Sequence, residues 1–93
     1  MISIVIPTYN NLDYLKLCLE SLKKNSSFNH EIIIHINDGS DGTLNFVKAS
    51  DYKHTISDDN IGLCSSINKA AKLVSNRYIL YSHDDMYFCP NWD

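Results

Sequence analysis

Tyr78-Ile79-Leu80-Tyr81-Ser82-His83-Asp84-Asp85 is the stretch that decides the fold, because in it an apolar run ends abruptly in two adjacent carboxylates. A short apolar run of this kind favours a buried strand. In open α/β sheets, ligands bind beyond the carboxyl ends of the strands. Paired carboxylates at that place suit a divalent cation and the phosphates that it neutralises. The alternative is a solvated turn after an edge strand, since Asp is a common turn residue.

Three more segments upstream predict strands, and the segments between them predict helices. Ile2–Ile6 and Glu31–Asn37 are short and rich in β-branched residues, which is typical of strands covered on both faces. We expect Pro7 to end the first ladder, because proline has no N–H to donate. The predicted strands are Ile2–Ile6, Glu31–Asn37, Tyr52–Ile56 and the run from Tyr78, and the predicted helices are Leu12–Lys24, Thr43–Ala49 and a third along the stripe Leu63, Ile67, Ala70, Ala71 and Val74.

Polar side chains stand where the first and third helices are predicted to begin. Asn10 or Asn11 is expected to cap the first helix with its side-chain oxygen. Asp58, Asp59 and Asn60 offer the same cap to the third helix. Capping alone would explain Asp58 and Asp59, although both could also border a ligand pocket.

The alternation of strands and helices predicts an α/β fold of the form β-α-β-α-β-α-β, a Rossmann-like, doubly wound parallel sheet. We predict the strand order 3-2-1-4, with the first and third helices on opposite or adjoining faces, as right-handed crossovers require. Lys53 and His54 place the third strand at one edge of the sheet. The fourth strand is then the other edge, and we expect the chain to self-associate through it or through the aromatic residues that follow it.

Composition limits the class of protein. The 93 residues are 44% hydrophobic and 20% charged, which is typical of a globular chain rather than a disordered one. They are expected to form a single domain, or part of one, over residues 1–93. The formal net charge of −3 offers no basic surplus for a nucleic-acid backbone, so nucleic acid is not an expected partner.

The cysteines and the N-terminus predict where the protein resides. Cys18, Cys64 and Cys89 are odd in number and match no zinc spacing, which argues against a disulfide framework or a structural zinc site. No basic n-region or long apolar span is present. We therefore expect a cytoplasmic protein, with association of the full-length protein with the cytoplasmic face of a membrane as an open alternative.

Three polar clusters are expected to share one rim of the sheet, because the carboxyl ends of parallel strands point to the same edge. They are Pro7-Thr8-Tyr9-Asn10, Asp38-Gly39-Ser40 and His83-Asp84-Asp85. A carboxylate such as Asp38 can accept an N–H from a base or a ribose hydroxyl. The glycines form neither G-x-G-x-x-G nor a P-loop, so a metal would have to recognise the phosphates. The rim thus predicts a site for a nucleoside diphosphate.

The sequence resembles the family 2 glycosyltransferases, which have the GT-A fold. The resemblance rests on four motifs that in their order span nearly all 93 residues. They are Ser3-Ile4-Val5-Ile6-Pro7-Thr8-Tyr9-Asn10, then Asn37-Asp38-Gly39-Ser40-Asp41-Gly42-Thr43, then Asn60-Ile61-Gly62 with Asn68, and finally Tyr78-Ile79 leading to Asp84-Asp85. The chain is accordingly expected to be the N-terminal, nucleotide-sugar-binding part of such an enzyme.

The resemblance implies roles for particular residues. Asp38 would meet the base, Asp84 would neighbour the ribose or the sugar phosphate, and Asp85, in the place of the family's DxD-type motif, would bind Mn²⁺ or Mg²⁺. The full nucleotide-binding set that we predict is Pro7, Thr8, Tyr9, Asn10, Asp38, Asn60 and Asp84.

The reaction implied is an inverting, metal-dependent transfer of a sugar from a nucleotide-diphosphate donor to an acceptor hydroxyl. The acceptor could be a saccharide, a lipid or a protein. The family's catalytic base lies well after the DxD motif and would fall beyond Asp93, so we expect a truncated chain that is inactive alone. A nucleotide-binding α/β module without transfer activity is the alternative, because a fold does not fix a function.

Several residues depart from the family's pattern or have simpler explanations. His83 stands where many members carry an acidic residue or Asn, which leaves the division of labour between Asp84 and Asp85 open. His35 lies within a predicted strand and has no partner at metal spacing, so we interpret it as structural. The aromatic residues between Tyr78 and Trp92 predict core packing, with a sugar-stacking platform as the alternative.

Overall fold

Four strands and three helices alternate along the chain in the computed structural model, which describes residues 1–93. The sheet has the order β3-β2-β1-β4, and each neighbouring pair is parallel. The predicted fold class and strand order are therefore confirmed. The elements are β1 (Ser3–Tyr9), α1 (Leu12–Asn25), β2 (Glu31–Asn37), α2 (Thr43–Ala49), β3 (Lys53–Ser57), α3 (Leu63–Ala71) and β4 (Ile79–Tyr81).

The two faces of the sheet carry separate cores, because successive side chains of a strand point to opposite faces. Ile4 and Ile6 belong to the larger core, into which α1 and α2 pack. Val5 and Ile33 form the smaller core with Ala70 of α3. The first and third helices thus lie on opposite faces, and continuous runs of isoleucine and valine are needed in β1 and β2 because both faces are covered.

Pro7 does not end β1, contrary to the prediction. The strand continues to Tyr9, and Pro7 is in register with His35 of β2. Ser82 donates its N–H to the Val5 carbonyl, so the backbone groups of Val5 face β4. Backbone groups two positions apart in a strand face the same neighbour, so those of Pro7 also face the β4 side. Since β4 ends at Tyr81, no partner is lost where the proline N–H is missing.

The third helix is shorter than its apolar stripe. It ends at Ala71, and Leu63, at its start, is 48% exposed. Ile67 and Val74 pack only partly buried against the smaller core. The apolar stripe in the sequence therefore predicted a wider buried face of α3 than the structure has.

No helix of the chain is both long and apolar enough to cross a membrane.

Residues 82–93, here called the C-terminal strap, run back along α1. Phe88 donates its N–H to Ser21 and accepts a hydrogen bond from the Asn25 amide at 2.7 Å. Phe88 and Trp92 pack against the larger core, with ring centroids 4.8 Å apart. Core packing therefore accounts for these two aromatic residues, whereas Tyr87 is exposed.

His35 is structural, as interpreted from the sequence. It is fully buried, and its two ring nitrogens lie 2.6 Å from the Thr55 hydroxyl and 3.1 Å from the Ser57 hydroxyl. Burial, with a smaller effect of the Lys69 charge, lowers the pKa of His35 below its ordinary value. A neutral imidazole between two hydroxyls satisfies both ring nitrogens without a metal.

Candidate functional site

The Asp84 carboxylate is held at the carboxyl edge of the sheet by two hydrogen-bond donors. The Thr8 hydroxyl donates to one oxygen at 2.8 Å, and the Asn11 amide donates to the other at 3.2 Å. Thr8 is only 2% exposed, and its side chain orients Asp84. The ends of β1 and β4 thus converge as predicted, and the side chains that follow them are in direct contact.

Asp38 is held at the end of the neighbouring strand β2. Its N–H donates to the Ser57 carbonyl at 2.8 Å, which ties it to the end of β3. The Asn10 amide donates to its carboxylate at 3.1 Å, and the Ser40 N–H donates to the other oxygen. Asp38 and Asn10 both have left-handed backbones, with φ of 66° and 44°, a conformation that Asp and Asn tolerate better than most residues.

Asn37, which begins the second family motif but was assigned no role there, lies beneath this edge and joins four segments. It is 3% exposed. Its amide nitrogen donates to the Thr8 carbonyl at 3.2 Å and to the Ser66 hydroxyl at 3.0 Å. Its amide oxygen accepts from the Ser57 hydroxyl at 3.1 Å and from the Ile61 N–H at 3.0 Å. Both donors and both lone pairs are therefore satisfied, and Asn37 fixes the loop before α3 to the ends of β1 and β3.

Asn11 is the N-cap residue of α1, as predicted, but its side chain makes no cap hydrogen bond. The Asp41 carboxylate, 29 positions along the chain, instead accepts from the Leu12 N–H at 3.2 Å and also from the Thr43 N–H at 3.1 Å. Although burial raises the pKa of Asp41, hydrogen bonds from Thr43 and Leu12 hold it below its ordinary value. One carboxylate thus supports the first turns of both α1 and α2, while the NH₂ groups of Asn10 and Asn11 donate to Asp38 and Asp84.

The loop before α3 also departs from the expected cap. No side chain caps α3, whose N-cap residue is Gly62. The Asn60 oxygen accepts from the Gly62 N–H at 3.0 Å within the loop. Asn60, Asp58 and Asp59 are all exposed, and none of them bonds to Asp38 or Asp84. The structure therefore places Asn60 at the carboxyl edge without joining it to the fixed carboxylates.

Asp85 and Tyr9, like Asn60, are predicted site residues that are open to solvent. Asp85 is exposed and its carboxylate makes no hydrogen bond within the chain, and Tyr9 is 51% exposed. No group of three or more His, Cys, Asp or Glu side chains is arranged to hold a metal ion. A cation bound through one or two carboxylates together with substrate phosphates needs no such group. The free Asp85 carboxylate beside the fixed Asp84 fits that mode of binding.

A cavity lies at the opposite, amino edge of the sheet. It measures about 710 Å³, and Leu22, Ser26, Glu31 and Tyr52 are among the residues that line it. The Lys53 ammonium, which also lines it, is paired with the Glu31 carboxylate. Its position beside the first residues of β1, β2 and β3 separates it from Asp38 and Asp84, so the fixed carboxylates and this cavity are different features.

Comparisons with known sequences identify one family. The profile of Glycosyl transferase family 2 matches residues 3–93. An uncharacterized glycosyltransferase of Rickettsia prowazekii is 33% identical to the chain, in an alignment over 98% of this chain and 29% of that protein. The putative glycosyltransferase EpsH of Bacillus subtilis is 30% identical, over 98% of this chain and 28% of its own length. The chain thus spans less than a third of these two relatives.

Solved structures agree in fold. TarS 1-349 of S. aureus in complex with UDP superposes with a TM-score of 0.80 and 26% identity, over 92% of this chain and 28% of that one. The mannosyltransferase PcManGT of Pyrobaculum calidifontis, in complex with GDP-Man and Mn²⁺, superposes with a TM-score of 0.78 and 17% identity, again over 92% and 28%. At that identity, the second likeness shows the fold alone.

Proposed function

Because this chain belongs to glycosyl transferase family 2, we propose that it binds the nucleotide-sugar donor of an inverting, metal-dependent glycosyltransferase. In this proposal the nucleoside diphosphate lies along the carboxyl edge of the sheet, with its base towards Asp38 and its diphosphate towards Asp85. The chain spans less than a third of the length of the relatives described above, so the contribution assigned to it is donor binding. The acceptor, whether saccharide, lipid or protein, and the catalytic base are left unassigned.

One observation carries the proposal. Side-chain hydrogen bonds hold two carboxylates from different strands at the same edge, Asp38 through Asn10 and Asp84 through Asn11. Buried or fixed carboxylates need such donors, and a solvated turn would not require them. Asp38 retains lone pairs that can accept an N–H from a base or a hydroxyl from a ribose. TarS of S. aureus in complex with UDP supports a uridine nucleotide as the first donor to test.

The residues of the chain and the metal have separate tasks in this proposal. Asp85 would hold the Mn²⁺ or Mg²⁺ ion, which when bound neutralises the diphosphate and stabilises it as a leaving group. Asp84, fixed by Thr8 and Asn11, orients the neighbouring ribose or sugar phosphate. Tyr9, half exposed beside this edge, offers a ring face or a hydroxyl to the nucleoside.

The test measures nucleotide binding by calorimetry in the wild type, Asp85→Ala and Asp38→Ala, with and without Mn²⁺. Asp85→Ala should abolish the metal-dependent part of the affinity for UDP, GDP and dTDP and leave the fold intact, because its exposed carboxylate has no partner in the chain. Asp38→Ala should weaken binding with or without metal by about tenfold to a hundredfold, the roughly 1.5–3 kcal/mol of a hydrogen bond to a charged group.

Asp51→Ala is the matched control for Asp38→Ala. Asp51 also has a left-handed backbone, with φ of 61°, but it lies at the amino edge, beside the cavity described above. The two substitutions therefore share the cost of placing Ala in that conformation, whereas only Asp38→Ala removes a carboxylate that is hydrogen-bonded at the carboxyl edge. A folded wild type that binds none of the three nucleotides would refute the proposal, and so would equal losses in Asp38→Ala and Asp51→Ala.

We also propose a cytoplasmic location for the protein. All three cysteines are unpaired, and Cys64 and Cys89 are exposed. Exposed free thiols are suited to a reducing compartment, where they are not driven into disulfides. Localisation of a tagged full-length protein would test this, and recovery in an oxidising compartment would contradict it.

A further inference from the structure

His83 is the single basic residue in the four segments that follow the strands at the carboxyl edge of the sheet. The segments at the ends of the four strands, residues 7–11, 38–42, 58–62 and 82–86, contain no Lys or Arg and no other His. The same segments contain six carboxylates, those of Asp38, Asp41, Asp58, Asp59, Asp84 and Asp85. A diphosphate bound here would add further negative charge to an edge that is already anionic, and one cation at Asp85 would offset only part of it.

The His83 imidazole is held in place by a hydroxyl from β4. The Tyr81 oxygen lies 2.9 Å from one ring nitrogen and 3.0 Å from the other, and the two rings meet edge to face with centroids 4.9 Å apart. One hydroxyl can pair with only one ring nitrogen at a time. Since the hydrogen bonds of the chain give the His83 ring no other partner and the residue is exposed, the second nitrogen is available to a ligand.

The main chain at this point is fixed as well. The Ser82 hydroxyl donates to the His83 carbonyl at 2.9 Å, and the Ser82 N–H donates to the Val5 carbonyl at 3.0 Å.

Burial, and then the charges of Asp84 and Asp85, raise the pKa of Tyr81. The Tyr81 phenol therefore stays protonated, and the field of the acidic pair extends to the place where it meets His83.

We propose that His83 donates a ring N–H to the diphosphate of the nucleotide-sugar donor, and that Tyr81 orients the imidazole for this contact. The inference rests on the proposed function, which brings the diphosphate to Asp85, two residues from His83. An N–H bonded to a phosphate oxygen is a strong, charge-assisted hydrogen bond. When the bond between the anomeric carbon and the diphosphate breaks, its electron pair remains on the diphosphate, and an N–H already in place stabilises that charge.

Comparison of a nucleoside diphosphate with its monophosphate isolates this contact. In calorimetric titrations with Mn²⁺, His83→Ala should lose about tenfold in affinity for UDP, the magnitude of one hydrogen bond to a charged group, while its affinity for UMP changes little. His83→Gln, which keeps a side-chain N–H, should retain more of the UDP affinity than His83→Ala. Tyr81→Phe should lose roughly threefold for UDP, because it removes a neutral hydrogen bond that only orients the ring.

His54→Ala is the control, because His54 lies in β3 and its ring faces the Tyr52 carbonyl at 3.0 Å, away from the acidic pair. It should bind UDP and UMP as the wild type does. A wild type that binds UDP together with a His83→Ala variant of unchanged affinity would overturn the inference and leave the proposed function standing. Equal losses for UDP and UMP would overturn it too, as would a loss of Mn²⁺ affinity without nucleotide, which would make His83 a metal ligand. A wild type that binds no nucleotide would defeat the proposed function itself.

Discussion

Glu31 should contribute measurably to stability, and its contribution should disappear in acid. Its carboxylate accepts from the Ser3 hydroxyl at 2.6 Å, from the Ser75 N–H at 2.8 Å and from the Ser75 hydroxyl at 2.7 Å, and it pairs with the Lys53 ammonium. These partners belong to β1, to β3 and to the turn that leads into β4. Glu31→Gln therefore changes one side chain that holds the amino ends of all four strands together.

The size of the effect follows from the pKa of the carboxyl. Hydrogen bonds from Lys53, Ser3 and Ser75 lower the pKa of Glu31 from 4.5 to about 2. One pKa unit corresponds to about 1.36 kcal/mol, so this lowering sets an upper limit of about 3.4 kcal/mol. The Lys53 side chain is 53% exposed, and solvent screens that part of the interaction. We expect Glu31→Gln to reduce the free energy of unfolding by about 2 kcal/mol at pH 7.

The contribution of Glu31 to stability should fall as the pH falls. Because the pKa of Glu31 is lower in the folded state, its stabilisation is fully present above the unfolded value of 4.5 and is lost as the pH falls from there towards about 2. The protonated wild-type side chain and the Gln side chain are then both neutral. The difference in free energy of unfolding between the two proteins should therefore shrink from about 2 kcal/mol at pH 7 towards zero near pH 2.

Urea denaturation followed by circular dichroism at several pH values measures this difference. Glu20→Gln is the control, because Glu20 is exposed on α1 and makes no hydrogen bond through its side chain, and it should alter stability by less than about 0.5 kcal/mol at every pH. Other carboxyls of the chain contribute equally to both proteins and cancel in the difference. A gap between wild type and Glu31→Gln that stays constant across the pH range would refute the electrostatic reasoning, and so would the absence of a gap at pH 7.

Two further predictions concern a glycine and the sheet edge. Gly39→Ala should destabilise the fold by about 1–3 kcal/mol more than Gly62→Ala. Both residues have positive φ, but a Cβ at Gly39 would lie 2.6 Å from Ile36, whereas one at Gly62 would meet nothing within 4 Å. Equal losses of unfolding free energy in the two variants would contradict this prediction. The chain should self-associate through the open edge of β4, where Ile79 is 48% exposed, and Ile79→Lys should shift sedimentation towards the monomer. A wild type that already sediments as a monomer at micromolar concentration would exclude that contact.

The strands and their order could be predicted because β-branched composition and chain connectivity decide them. Ile4 and Ile34 lie in runs that are apolar on both faces, which only a central parallel strand requires. The helices between the strands then allow few arrangements of the sheet. Pro7 was misjudged because the cost of a missing N–H depends on which neighbour that N–H would face, and the early end of β4 is not visible in the sequence of β1.

The site could be predicted as a set of converging strand ends but not as a set of contacts. The sequence predicts that Asp38 and Asp84 lie at one edge, whereas it gives Asn37, the last residue of a strand and the first of a family motif, no role of its own. Its four hydrogen bonds reach Thr8, Ser57, Ile61 and Ser66, partners up to 29 positions away. The helix cap from Asp41 spans a similar distance. Local cap statistics favour a nearby oxygen, and they could not identify a carboxylate supplied by another loop.

The strand order explains why two consecutive asparagines hold both carboxylates of the candidate site. In the order β3-β2-β1-β4, the residues that follow β1 lie between the end of β2 and the end of β4. Asn10 donates to Asp38 on the β2 side, and Asn11 donates to Asp84 on the β4 side. A single dipeptide therefore contacts both the carboxylate assigned to the base and the one assigned to the sugar phosphate, and Thr8 is a second donor to the latter. Asp41 holds the Leu12 N–H directly after this dipeptide, so the β2–α2 loop is tied to the same turn that carries both asparagines.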